Sequence, residues 1–181
     1  MPSYCEYINS LTGELRELHQ AYHDNDYGFT LYDDNALFGR FLLEINQAGL
    51  SWTLMLRKLN GFERAYDGFD IDKIASYGED DFNRLMNDSG IIRNRLKIRA
   101  AIENAKRIQA LQRKYGSFRK WLDVNAETNK TLADWTSLFK KRFVFTGGEI
   151  VNEFLMSIGM LPGAHSPECE VYNRRRSGVV A

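Results

Sequence analysis

The chain has 181 residues, 44% hydrophobic and 27% charged, which is ordinary globular usage at the length of one domain and excludes a disordered polymer. Lys+Arg and Asp+Glu stand at 24 each, so no overall basic character marks a nucleic-acid binder. No apolar run approaches the roughly 18 residues of a membrane span. Cys5 and Cys169 lie too far apart to read as a disulfide framework. Residues 1–13 lack the basic and apolar regions of a secretory signal. A reducing cytoplasm is therefore the expected location, with no membrane partner.

The three prolines, Pro2, Pro162 and Pro167, leave room for many helices. Asp33-Asp34 predicts the cap of a helix whose apolar positions Leu37, Phe38, Phe41, Leu42 and Ile45 follow helical spacing, ending near Gly49. Ser51 predicts the N-cap of a helix beginning at Trp52. Asp70 opens a short helix, and Glu79-Asp80-Asp81 suits the positive end of the next, through about Met86. Residues 93–115 form the longest predicted helix, with Leu96, Ile98, Ala101, Ile102, Ala105, Ile108 and Leu111 on one side. Helical patterns recur at 117–123, 131–141 and 148–159, and Arg142 to Thr146 reads as extended. The expected fold is a single all-α domain spanning 1–181, without internal repeats or linkers.

Charge is segregated along this chain. Residues 1–90 carry 7 basic and 16 acidic side chains, whereas residues 93–120 carry 10 basic ones and only Glu103. Just before the basic block a helix is expected to end at Gly90 in the left-handed conformation, and the long helix to start directly after Ile91-Ile92. Such a turn points unpaired N–H groups outward at a helix N-terminus, where phosphate oxygens can accept them. Arg93, Arg95, Lys97 and Arg99 surround that point, and the segment resembles a helix-hairpin-helix that grips a nucleic-acid backbone. An ordinary helical hairpin with a solvated basic face would show the same residues.

Cys5, His23, His165 and Cys169 use both cysteines and two of the three histidines. His165 and Cys169 are four apart, so both can reach one ion across a helical turn. Two thiolates and two imidazoles suit tetrahedral Zn²⁺, and with every position filled by protein the role would be structural. Buried cysteines beside a surface histidine are the alternative. Glu44 follows Leu42 and Leu43 next to the buried stripe, and a buried carboxylate needs a partner. Tyr22, Tyr27 and Trp52 could form an aromatic slot around it for a flat cationic guest, held by stacking and cation–π attraction. A core Glu paired with an Arg is the competing reading.

Taken together, Tyr22-His23-Asp24-Asn25, Gln47-Ala48-Gly49-Leu50-Ser51-Trp52, Gly90-Ile91-Ile92-Arg93, Lys97-Ile98 and the His165/Cys169 pair resemble the constitutive 3-methyladenine DNA glycosylase I family. The likeness runs from Cys5 to Tyr172. It implies an all-helical helix-hairpin-helix glycosylase with the hairpin at about 79–115, and one structural Zn²⁺ per chain on Cys5, His23, His165 and Cys169 joining the chain ends. It implies Glu44 as the pocket carboxylate, with Tyr22, Tyr27 and Trp52 as base-binding residues. Gly90, Ile92, Arg93, Arg95 and Lys97 fall to the DNA backbone. The implied activity is monofunctional excision of 3-methyladenine from double-stranded alkylated DNA by a monomer, leaving an abasic site without strand cleavage. A lesion-binding paralogue without turnover, or a zinc-stabilised helical interaction module, would keep the same fold. This chain departs from the family pattern at Tyr27, Asn46, Gly147-Gly148-Glu149 and Asn152, where tryptophan, glutamine, threonines and tyrosine are usual.

Overall fold

Short polar residues start the helices of this protein, and the computed structural model describes them over residues 3–129 and 131–176. Regular structure among the described residues is entirely helical, as the sequence predicts. None of these helices is long and apolar enough to cross a membrane. The chain divides into two compact units, residues 1–30 with 155–181, and residues 31–154. The expected domain limits, 1 and 181, lie outside the described residues.

In the first unit α1 (Tyr4–Ser10) packs on α2 (Gly13–Asn25). Ser3 opens α1 with a reciprocal cap: its Oγ accepts from the Glu6 N–H, and the Glu6 carboxylate accepts from the Ser3 N–H at 2.7 Å. Tyr4 then fixes the pair, its ring edge-on to Tyr22 and Tyr27 and its hydroxyl 2.8 Å from His19 Nδ1.

The second unit is built round α3 (Asp34–Gln47), in which every residue from Leu37 to Asn46 is buried. The predicted apolar stripe is there, but other elements cover the remaining faces as well. Asp33 caps α3, its carboxylate accepting from the Ala36 N–H at 2.8 Å. Then follow α4 (Trp52–Ala65) capped by Ser51, a 3-10 turn (Asp67–Phe69), α5 (Ile71–Ala75) capped by Asp70, and α6 (Glu79–Met86). The long α7 (Arg95–Tyr115) packs along α5 and α8 (Phe118–Ala126). Last come α9 (Leu132–Arg142), opened by a Thr131/Asp134 capping box, and α10 (Gly148–Ser157), whose final residues enter the first unit. α11 (Glu170–Arg176) closes the first unit. Phe41, Phe118, Trp121, Phe139, Phe143 and Phe154 form a contiguous aromatic core at the end of the second unit.

The hairpin differs from expectation in three ways. Its first helix ends at Met86, the nearer of the two expected limits, and Gly90 neither ends it nor takes the left-handed conformation. Close approach of the two backbones requires a glycine at 61: a Cβ on Gly61 of α4 would stand 2.3 Å from the Gly90 carbonyl oxygen. The second helix starts at Arg95, capped by Asn94, whose side chain accepts from the Leu96 and Lys97 N–H groups. Leu96, assigned to the buried stripe, is 69% exposed, because the stripe runs through Lys97, Ile98, Ala101 and Ala105. Within the 142–146 segment Arg142 still belongs to α9, Phe143 is extended and Phe145 is left-handed.

Candidate functional site

Cys5 on α1, His23 on α2, His165 and Cys169 come together in the first unit, their ligand atoms all within 4.8 Å of one another. His165 Nε2 lies 2.7 Å from the Tyr27 carbonyl oxygen, so that nitrogen carries the proton and Nδ1 presents its lone pair. His23 Nδ1 lies 2.7 Å from Asp24 Oδ1, which in turn frees Nε2. His165 Nδ1 and His23 Nε2 are 3.1 Å apart, and Cys5 Sγ is 3.2 Å and Cys169 Sγ 3.7 Å from His23 Nε2. A tetrahedral Zn²⁺ with N at about 2.0–2.1 Å and S at about 2.3 Å sets N···N near ~3.3 Å and N···S near ~3.6 Å. The donor set therefore fits the ion in residue type, tautomer and spacing. The Ser166 N–H, 3.5 Å from Cys5 Sγ, points a donor at the sulfur. Burial pushes the Cys5 thiol up, a shift that a coordinated cation reverses.

Glu44 projects from the middle of α3 and is 4% exposed. Burial, and then the nearby Glu153 carboxylate, raise its pKa from 4.5 to about 8, while Arg40, one turn back on α3, pulls the other way. Burial thus favours the neutral carboxyl near pH 7, and a neighbouring cation would favour its ionisation. Trp52, half-buried, opens α4 after the turn that ends α3. Tyr22 and Tyr27 are buried in the first unit, with ring centroids 5.7 Å apart.

That turn, Gln47–Ser51, is tightly held. The Leu50 N–H donates to the Gln47 carbonyl at 2.7 Å, Gln47 Nε2 donates to the Leu50 carbonyl at 2.9 Å, and Gly49 is left-handed. Lys97 holds it as well. Its side chain, expected to grip phosphate, is only 5% exposed, and Nζ donates to the Asn46 and Ala48 carbonyls, each at 2.7 Å. The structure corrects that assignment: Lys97 closes the C-terminal end of α3, where carbonyls lack helical partners and a cation is favoured.

The rest of the hairpin keeps an outward basic tip. Arg93 and Arg95 are exposed, and Arg95 and Arg99 lie over the Phe82 ring at 5.2 and 4.1 Å. The Gly90 N–H is already taken by Asp88 Oδ1 at 2.7 Å. Half-buried Ile92 and exposed Arg93 keep N–H groups that meet no acceptor among the described residues. Lys58 of α4 ties the turn down through the Ser89 carbonyl at 2.7 Å.

Residues 12–138 match the sequence profile of the methyladenine glycosylase family. The chain belongs to that family. It is 34% identical to DNA-3-methyladenine glycosylase 1 of Escherichia coli (strain K12), over 80% of this chain and 86% of that one. It is 32% identical to the DNA-3-methyladenine glycosylase of Haemophilus influenzae (strain ATCC 51907 / DSM 11121 / KW20 / Rd), over 93% and 97%. Among solved structures, 3-methyladenine DNA glycosylase I from Staphylococcus aureus gives a TM-score of 0.81 at 28% identity, covering 94% of this chain and 97% of that one. A 3-methyladenine DNA glycosylase I in complex with 3-methyladenine gives 0.79 at 29%, covering 85% and 91%.

For this methyladenine glycosylase, sequence reasoning missed Asp24 behind His23, Arg40 and Glu153 around Glu44, and the inward turn of Lys97. Asp24 had a readable signal, a carboxylate directly following a candidate ligand histidine. Glu153 had none, because 109 positions separate it from Glu44.

Proposed function

We propose that the protein is a base-excision repair glycosylase that hydrolyses the N-glycosidic bond of 3-methyladenine in alkylated DNA and leaves an abasic site. The observation that carries this reading is near full-length similarity to DNA-3-methyladenine glycosylases. The site chemistry agrees with it. Methylation at N3 makes the purine cationic, so when the bond from C1′ breaks, the electron pair leaves with the base as a neutral molecule. Water supplies hydroxide to C1′, and its proton goes to solvent. The protein's tasks are to extrude the nucleotide, hold the base and stabilise positive charge on the sugar.

Glu44 performs the second task. A cationic purine edge favours the ionised carboxylate, whose proton leaves to solvent, and creates a charge-assisted hydrogen bond in a buried setting that neutral adenine cannot match. Trp52 supplies a stacking wall, and the family resemblance implies base-binding roles for Tyr22 and Tyr27. Ile92 and Arg93 N–H groups, with the Arg93 and Arg95 side chains and the close turn at Gly90, hold the backbone of double-stranded DNA. No Schiff-base step is expected, since the Lys97 ammonium is committed to two carbonyls. A Zn²⁺ on Cys5, His23, His165 and Cys169 would supply folding energy, having no open position for a reactant. We further propose that residues 1–181 act as one glycosylase domain, monomeric and cytoplasmic.

Incubation with dimethyl-sulfate-treated duplex and chromatography of the freed bases tests the activity. Free 3-methyladenine with matching abasic sites and intact strands is the expected result. Binding without release would leave only a lesion binder.

A further inference from the structure

Lys97 is a buried cation that base excision, as described above, does not use. It belongs to the hairpin helix α7, 51 residues beyond Asn46, yet it supplies the closing donors for α3. The two carbonyls it takes, Asn46 and Ala48, bracket Gln47, the last residue of α3, and lie just past Glu44. From there the chain runs through left-handed Gly49 to the Ser51 cap and Trp52. Asn46 is itself fully buried, its Nδ2 turned back to the Leu42 carbonyl at 2.8 Å and its Oδ1 without a partner. Lys97 therefore adds two hydrogen bonds from a distant helix to those the turn makes within itself.

We propose that Lys97 is a positioning residue for base recognition: by pinning the end of α3 from the hairpin helix, it fixes the relative placement of Glu44 and Trp52. Both bear on the same ligand in the glycosylase reading, on which this inference rests. Displacement of such groups by about 1 Å is enough to cost roughly a hundred-fold in rate. Lys97 is thus set apart from the phosphate-binding cations of the hairpin. Its removal lowers the rate from the bound state and the affinity for the free base, while the number of phosphates neutralised stays the same.

The test is Lys97→Met, which preserves length and removes the donors, studied in the full-length protein with three readouts. Single-turnover release of 3-methyladenine from methylated duplex at saturating enzyme should fall ten-fold or more. Binding of free 3-methyladenine, followed by tryptophan fluorescence, should weaken by a similar factor. The salt dependence of binding to undamaged duplex should match wild type. A salt slope reduced by about one with an unchanged saturated rate would make Lys97 a phosphate ligand and overturn the proposal. Unchanged rate and base affinity with only a lower melting temperature would overturn it too. Should Lys97→Met fail to fold, Lys97→Gln, which retains an N–H donor, is measured in the same three ways. A wild-type protein that releases no base would count against the glycosylase reading itself, and free-base binding would still decide the role of Lys97.

Discussion

Glu44 shows how one side chain couples stability to chemistry. Its proton is held up to about 8 in the folded protein against 4.5 ordinarily, so the folded state binds that proton more tightly than the unfolded chain. The sign follows: stability is highest at low pH and declines as pH rises from 4.5 toward 8, because only the unfolded chain ionises freely there. Glu44→Gln should abolish this part of the decline, so its melting temperature should exceed wild type by more at pH 9 than at pH 5. Activity moves the opposite way. Excision at subsaturating enzyme should rise with pH toward about 8, as the carboxylate becomes available, and flatten at saturation, where the bound cation already holds the group as a carboxylate. The Cys5, His23, His165 and Cys169 cluster and the buried Glu44 were legible in the sequence. The direction of Lys97 was not, although helical spacing places it with Ile98, Ala101 and Ala105, while Leu96 falls off that stripe. A polar residue in an apolar register is the signal that an inventory of basic side chains overlooks.

At the scale of elements, the hairpin depends on a backbone contact with α4. Gly61→Ala should cost about 1–3 kcal/mol, since the new methyl meets a fixed carbonyl at 2.3 Å. Gly90→Ala should cost less, because its Cβ would meet chiefly the Asp88 side chain at 2.9 Å. Parallel thermal melts check the order, and equal losses would contradict it. Arg93→Ala should leave the fold intact and reduce the slope of log affinity against log salt by about 0.9, equally for damaged and undamaged duplex. The caps at Asp33, Ser51 and Asp70 were legible because each is local. Two long-range clamps were not. Asp34 accepts from the Phe118 and Arg119 N–H groups at 2.8 and 3.0 Å, so it caps α8 rather than its own helix. Asn104 exchanges two hydrogen bonds with the Val144 backbone, pairing α7 with the loop after α9 as a strand would. Local sequence carries no trace of a partner 40 or 84 positions away.

For the whole molecule, the four-ligand cluster draws α1 and α2 together with the chain from His165 to Cys169, closing a loop of more than 140 residues between its histidines. One Zn²⁺ per chain should be found by elemental analysis. Cys169→Ala should lose it and melt several degrees lower, and a metal-free protein of unchanged stability would contradict the assignment. Asp24→Asn should weaken metal affinity about ten- to a hundred-fold while leaving all four ligands in place, since the carboxylate orients His23. Chelation should lower the melting temperature before it slows excision. The all-helical architecture was legible from the scarcity of proline and the helical spacing. The division of the chain at 30–31 and 154–155 was not, because no linker composition marks either point.

The central claim, a buried carboxylate that recognises a cationic purine, is tested most directly by single-turnover release of 3-methyladenine from methylated duplex by Glu44→Gln beside wild type. Loss of a charge-assisted hydrogen bond in the transition state is worth about 1.5–3 kcal/mol, so the rate should fall roughly ten- to a hundred-fold or more, with metal content unchanged and melting no lower than wild type. A variant that excises the base at the wild-type rate would make Glu44 a structural residue and contradict the account.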